Sequence, residues 1–93
     1  MFLGGWYSFT GEQGKGGWGR TRLAEILSVS CLDYEDLMES TEGFSVEATP
    51  AGQSAFAGLD LSEIPPLLGY NRTLPRPEGQ ILLKIKETDD PLL

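Results

Sequence analysis

Apolar and polar positions along the chain change period several times. Met1 to Leu3 gives three apolar residues and then Gly4-Gly5, which reads as the end of a buried strand. Residues 4–20 hold no regular period. Seven of the chain's 12 glycines fall between Gly4 and Gly19, interleaved with Trp6, Tyr7, Phe9 and Trp18. So much glycine costs too much backbone entropy for a helix or strand, so a loop is predicted. Its aromatic rings predict that the loop is packed down. Thr21 has the chemistry of a helix cap, and Leu23, Ile26 and Leu27 at i, i+3, i+4 predict a short helix over 22–27. Ser28 to Leu32 reads as a short strand with Val29 and Cys31 on one side.

The next ten residues, 33–42, hold five carboxylates (Asp33, Glu35, Asp36, Glu39, Glu42) and predict an exposed loop or turn. Phe44, Val46 and Ala48 alternate with Ser45 and Glu47, the period of a strand, and Pro50 closes it. Gln53 to Ala57 predicts one helical turn ended by Gly58. Leu67 to Asn71 predicts a short buried strand, and Pro75 and Pro77 bracket a turn. Gln80 to Glu87 alternates most regularly, with Ile81, Leu83 and Ile85 on one side and Leu82, Lys84 and Lys86 on the other. That pattern fits an antiparallel or edge strand. Asp89-Asp90-Pro91 predicts a turn, and Leu92-Leu93 reads as the start of a further element. Both ends look like interrupted elements.

Composition narrows the function classes. In 93 residues there are 7 Lys and Arg, 14 Asp and Glu and no His, a formal charge of −7. The acid excess repels nucleic acid and anionic membrane over most of the surface, so neither is an expected partner. No run of about 18 apolar residues occurs. The first residues lack the basic and apolar regions of a secretory signal, and a cytoplasmic setting is expected. One cysteine, Cys31, excludes an internal disulfide framework. Without His, the Ser-His-Asp and Cys-His relays and His-ligated metals drop out. No cofactor or metal is expected. A chain this short buries about 60–65% of its extended surface, so its stability is expected to be marginal or supplied partly by a partner, either itself or the missing part of a larger domain.

Candidate chemistry is sparse. Gly14-Lys15-Gly16-Gly17-Trp18-Gly19 matches G-x-G-x-x-G, but a dinucleotide fingerprint needs a strand directly before it and a helix opening within it. Here the apolar strand pattern ends about ten residues earlier, and Trp18 would crowd the backbone approach. A P-loop is excluded, because Gly16 follows Lys15 where Ser or Thr is needed. Cys31 is expected to be an unreactive strand thiol, with Asp33 nearby raising its pKa. The acidic run lacks the EF-hand spacing and reads as a solvated surface. If a ligand site exists, Trp6, Ser8, Lys15 and Arg20 are the first candidates, through aromatic contact, positive charge and backbone N–H groups. The catalytic assignment is none.

The order of segments carries a resemblance. A strand runs into Gly4-Gly5-Trp6-Tyr7-Ser8-Phe9, then come the glycine run to Gly19, Thr21 to Val29 (T-x-L-x-E-x-L-x-V), Glu42-Gly43-Phe44, Gly58-Leu59-Asp60, Pro65 to Asn71, and Asp90-Pro91-Leu92-Leu93. This resembles the glutamine amidotransferase-like family of bacterial cytoplasmic proteins, over nearly the whole chain. The resemblance implies an α/β fold of the flavodoxin-like, class I glutamine amidotransferase-like kind, with three layers, short strands and long loops. It implies that residues 1–93 form one partial domain (a Gly-aromatic loop over 4–20 and an α/β remainder over 21–93), truncated at both ends. Class I glutamine amidotransferases attack the glutamine amide with a Cys at a strand-to-helix elbow, with His and Glu downstream. By the resemblance that elbow falls near Gly4-Gly5, where this chain has no Cys, and Cys31 lies in another element. The resemblance therefore implies fold more than activity. Three functions are expected to compete: an amidotransferase or glutaminase, a non-catalytic module binding a small ligand or a protein, and a truncated domain with no independent role.

Overall fold

The computed structural model describes residues 4–93. The strand end read at Met1 to Leu3 lies outside the described residues. Six strands form three two-stranded antiparallel pairs. Strand β1 (Val29–Cys31) pairs with β5 (Thr73–Pro75). Strand β2 (Leu37–Phe44) pairs with β4 (Leu67–Asn71), with an irregularity between Glu39 and Phe44. Strand β3 (Val46–Ala48) pairs with β6 (Leu83–Ile85). One α-helix, α1 (Pro50–Ala55), and four one-turn 3-10 segments complete the described elements. The molecule is thus a small α/β body with antiparallel strands and little helix.

The acidic run departs from its predicted loop. Its second half is β2, because Leu37 and Met38 pair with Asn71 and Tyr70 and Met38 packs against the core. Asp33, Glu35, Glu39 and Glu42 are exposed, but Asp36 is 1% exposed. The predicted helix over 22–27 is a single 3-10 turn, Arg22–Glu25. Thr21 caps it as expected, its Oγ1 accepting from the Leu23 N–H. The turn stops because the strand at Val29 begins only a few residues on. The region from Gln80 to Glu87 keeps its antiparallel partner, but the ladder itself covers only Leu83–Ile85. The stretch before it is occupied otherwise: the carbonyls of Ile81 and Leu82 accept from Thr49. The turn expected between Pro75 and Pro77 begins one residue after β5 takes in Pro75.

Helix α1 starts earlier than its pattern predicts. Thr49 is the N-cap, accepting from the Gly52 N–H at 3.1 Å, and Pro50 occupies the first turn, where its missing N–H costs nothing. The Thr49 hydroxyl donates to the Ile81 carbonyl at 2.6 Å and its N–H to the Leu82 carbonyl at 3.0 Å. One residue therefore caps the helix and ties it to the segment entering β6. Gly52 is required there by close approach, since a Cβ would lie 1.9 Å from the Leu82 carbonyl oxygen.

The core is small. Phe44, Tyr70 and Ile85 form its centre, with Met38, Leu67 and Leu92 packed against it. Phe44 and Tyr70 meet edge to face at 5.0 Å between ring centroids, a geometry favoured by the ring quadrupoles. Tyr70 also donates to Asp90 Oδ2 at 2.6 Å, and Arg72 Nε donates to the other oxygen of that carboxylate at 3.0 Å. This brings the predicted turn at Asp89-Asp90-Pro91 against β4. Leu92 and Leu93 then donate back to the Leu83 carbonyl at 2.9 and 3.2 Å. The body measures 38 × 32 × 19 Å with a radius of gyration of 13.4 Å, against about 12 Å for a compact domain of this length. The excess reflects a flat, indented shape.

Replacing Gly52 with Ala should lower stability by about 1–3 kcal/mol through overpacking, even though Ala is the better helix former. A urea titration followed by tryptophan fluorescence checks this; an unchanged or higher midpoint would contradict the packing described for α1.

Candidate functional site

The glycine-rich loop is built around one acid. Asp36 sits just before β2, and its carboxylate turns into the body. Its Oδ2 accepts from the Thr10 N–H at 3.0 Å, and its Oδ1 accepts from the Gly11 N–H at 2.7 Å and from Asn71 Nδ2 at 3.0 Å. The Asp36 carbonyl accepts from the Arg72 N–H at 2.7 Å. Gly11 takes φ +71°, the left-handed region that a side chain disfavours, so the chain turns immediately after the two amides that meet the carboxylate. Thr10 closes the knot by donating its hydroxyl to the Leu32 carbonyl. Next to it Phe9 and Trp18 stack edge to face at 5.2 Å. The loop is thus packed down at Phe9, Thr10 and Trp18, whereas Trp6 and Tyr7 are about half exposed.

That anchorage positions Trp6. Its carbonyl accepts from Asn71 Nδ2 at 3.3 Å, the amide that also reaches Asp36. Its ring lies over Gly69, where a Cβ would approach it to 2.9 Å. Trp6 is 49% exposed and forms part of the wall of a cleft of about 690 Å³. The other walls come from Ile26 and Leu27 before β1, Leu67 and Tyr70 of β4, and Leu92 near the chain end. Among the described residues lining it, Arg76 is the one charged side chain. Its guanidinium is committed, donating to the carbonyls of Ala24 at 2.8 Å and Leu27 at 3.2 Å and to Ser30 Oγ at 3.3 Å. The cleft therefore offers an occupant mainly apolar surface, a few polar groups (Ser28, Asn71, Thr73, Gln80) and one guanidinium whose N–H groups are engaged by neutral acceptors.

The four residues singled out from the sequence do not share this place. Trp6 lines the cleft. Ser8 accepts from the Gly5 N–H at 2.9 Å and is spent on a local turn. Lys15 and Arg20 are exposed and are not among the lining residues. The G-x-G-x-x-G stretch runs from the end of one 3-10 turn, Glu12–Gly14, through irregular backbone at 15–17 into a second, Trp18–Arg20. The lining at Ile26, Leu27 and Leu67 had a sequence signal, an apolar stripe and a strand face, but nothing linear joins them to Leu92.

Cys31 lies outside the cleft lining and is half-buried in β1. Its pKa is pushed up, first by burial and then by the Asp36 carboxylate, with the Arg76 guanidinium opposing. The sequence assigned the acidic influence to Asp33; the fold turns Asp33 outward and Asp36 inward. Among the described residues no three metal-ligating side chains gather, and no helix is long and apolar enough to cross a membrane.

A family model described as "Putative glutamine amidotransferase" matches residues 1–93. The chain belongs to this glutamine amidotransferase-like family. Two solved structures are similar to it. Cytoplasmic protein STM1381 from Salmonella typhimurium LT2 is 38% identical with a TM-score of 0.84, and cytoplasmic protein STM3548 from Salmonella typhimurium is 37% identical with the same TM-score. Each alignment covers 97% of this chain and 35% of the other. The chain thus spans about a third of the length of the structures it matches. Comparison with curated proteins returns no match. This glutamine amidotransferase-like chain keeps Gly4-Gly5 where the resemblance puts the nucleophile elbow.

A thiol whose pKa is raised should resist alkylation. Iodoacetamide labelling of Cys31 at pH 7.5 should run severalfold slower than for free cysteine, whose pKa is about 8.5, because burial and the Asp36 carboxylate both disfavour the thiolate. The rate should climb only above that value. Because the folded thiol ionises later than the unfolded one, this group's contribution to stability is full below the ordinary thiol pKa and is lost as pH rises through the raised folded value. Labelling as fast as free cysteine at pH 7.5 would contradict the assignment.

Proposed function

We propose that this chain is a non-catalytic, polypeptide-binding portion of a cytoplasmic glutamine amidotransferase-like domain. Amide cleavage by the class I route needs a thiolate, an imidazole to move its proton and N–H groups to hold the oxyanion. The chain contains no His, and its single thiol is biased toward the protonated form and lies outside the cleft. The observation that carries the reading is the character of the cleft: apolar walls around one arginine already spent on backbone carbonyls. Such a surface suits another piece of polypeptide better than a glutamine molecule, whose amide, ammonium and carboxylate all need partners.

In this reading the three antiparallel pairs form a peripheral part of a flavodoxin-like, three-layer domain, and the layers they pack on are supplied by other residues. Family membership supports that architecture, and the printed description of both Salmonella proteins as cytoplasmic supports the location. The alternative, a metabolite site at the Gly-aromatic loop, has less support, since Lys15 and Arg20 face solvent away from Trp6's cleft.

Purified chain incubated with L-glutamine should release ammonia no faster than the Cys31→Ser variant, measured with a coupled glutamate dehydrogenase assay. Turnover that disappears in Cys31→Ser would overturn the non-catalytic reading.

A further inference from the structure

We infer that the Trp6–Ile26–Leu92 cleft is the seat of the polypeptide that supplies the remainder of the domain, the portion of the Salmonella proteins that has no counterpart in these 93 residues. The inference deepens the polypeptide-binding reading above and rests on it. Its first support is length. The chain aligns over 97% of itself but over only 35% of either solved protein, at a TM-score of 0.84. A body that keeps its shape so closely within a protein nearly three times longer shares a boundary with the rest of that protein.

Chemistry selects the cleft as that boundary. The lining at Trp6, Ile26, Leu92 and Leu93 is apolar, and Ile26 and Leu93 are 67% and 50% exposed. The molecule carries −7 overall, yet its carboxylates lie elsewhere than on this lining. The N–H groups of Arg76 are engaged by backbone carbonyls and Ser30 Oγ, neutral partners that leave its positive charge without a carboxylate among the described residues. An occupant that fills about 690 Å³ against this lining is mainly apolar, with a polar or acidic group able to meet Arg76. The second hollow, of about 700 Å³ between β3, α1 and Pro66, is lined by Glu47 and Lys86 as well as Phe56 and is less suited to an apolar guest.

Backbone valence points the same way. Among the described residues each sheet is a single pair; the second side of β6 is bridged by Pro91 and its neighbours, whereas β4 and β5 have no second ladder partner. Isolated two-stranded pairs are marginal in water. Strands β4 and β5 both contribute to the cleft, and an added strand would complete their hydrogen bonding while its side chains fill the hollow. The occupant is thus a mainly apolar, strand-bearing segment rather than a helix with a charged face.

The test is complementation. STM1381 lacking the segment matched by this chain is co-expressed with the tagged 93-residue chain, and recovery of a soluble 1:1 complex is measured by affinity capture and analytical ultracentrifugation. Ile26→Asp should cut recovery at least tenfold, and Leu93→Asp on the same lining should act alike. Leu59→Asp, at a residue equally exposed (66%) but in the second hollow, should leave recovery within twofold. The thermal midpoint of each variant alone is recorded, and an equal loss of fold in both cleft variants with no loss of capture by any folded variant would count against the cleft. No soluble complex, equal losses from the Leu59 variant, or a self-dimer of the chain dispersed by Ile26→Asp would overturn the inference. Capture is read without glutamine, so a chain that captures the partner yet turns over glutamine refutes the non-catalytic reading alone, and an inactive chain that captures nothing refutes this inference alone.

Discussion

A single buried carboxylate organises the molecule. Asp36 is 1% exposed and gives its oxygens to two successive backbone amides of the glycine loop and to the Asn71 side chain. Burying a charge is costly unless hydrogen bonds replace its lost water, and three N–H donors do so here. Because the donors come from residues 10–11 and 71, one acid joins two distant parts of the chain to its own. Without it, a loop this rich in glycine would have far too much conformational freedom to hold a shape. With it, Trp6 is fixed over Gly69 and one wall of the cleft exists.

The rest of the structure is economical in apolar burial. Among the described residues Phe44, Tyr70 and Ile85 form one buried apolar cluster, with Leu27 and Leu32 buried apart from it, and polar ties supplement them: Tyr70 and Arg72 on Asp90, Thr49 on the segment before β6, Arg76 on the carbonyls of residues 24–27. Each such bond contributes about 1 kcal/mol net. Large apolar side chains meanwhile stay at the surface, among them Ile26 and Leu68, each 67% exposed. Of these exposed side chains Trp6, Ile26 and Leu93 lie on the cleft, Leu59 and Ile64 on the second hollow, and Leu68 on neither.

How far the sequence foretold this depends on the kind of signal. Leu67 to Asn71 was legible as a strand with its bounds, but its burial was not: only Tyr70 is buried, and Leu68 is 67% exposed. The loop over 4–20 was legible from glycine content, and Thr21 from cap chemistry. Asp36 was not legible. In the sequence it is one of five acids in a solvated run, and what distinguishes it is that Thr10 and Gly11, 26 and 25 residues away, offer their amides. The cleft was half legible: Trp6 stood out by its type, whereas Ile26, Leu67 and Leu92 are joined only by the fold. Gln80 to Glu87 was overextended because alternation shows which residues face inward and says nothing of whether a partner strand is long enough to pair them all. The ladder stops where β3 stops, at Ala48.

Amide hydrogen exchange at Thr10 and Gly11 tests the role of Asp36 most directly. In the wild-type chain both amides should be protected to a degree comparable with the Ile85 amide, which donates to the Asp90 carbonyl within the packed body. In Asp36→Asn, where an NH₂ group replaces one acceptor oxygen, protection at one or both should fall at least tenfold while Ile85 keeps its own. Exchange that is already fast at residues 10 and 11 in the wild type, or that does not change in the variant, would contradict the claim that this carboxylate holds the loop.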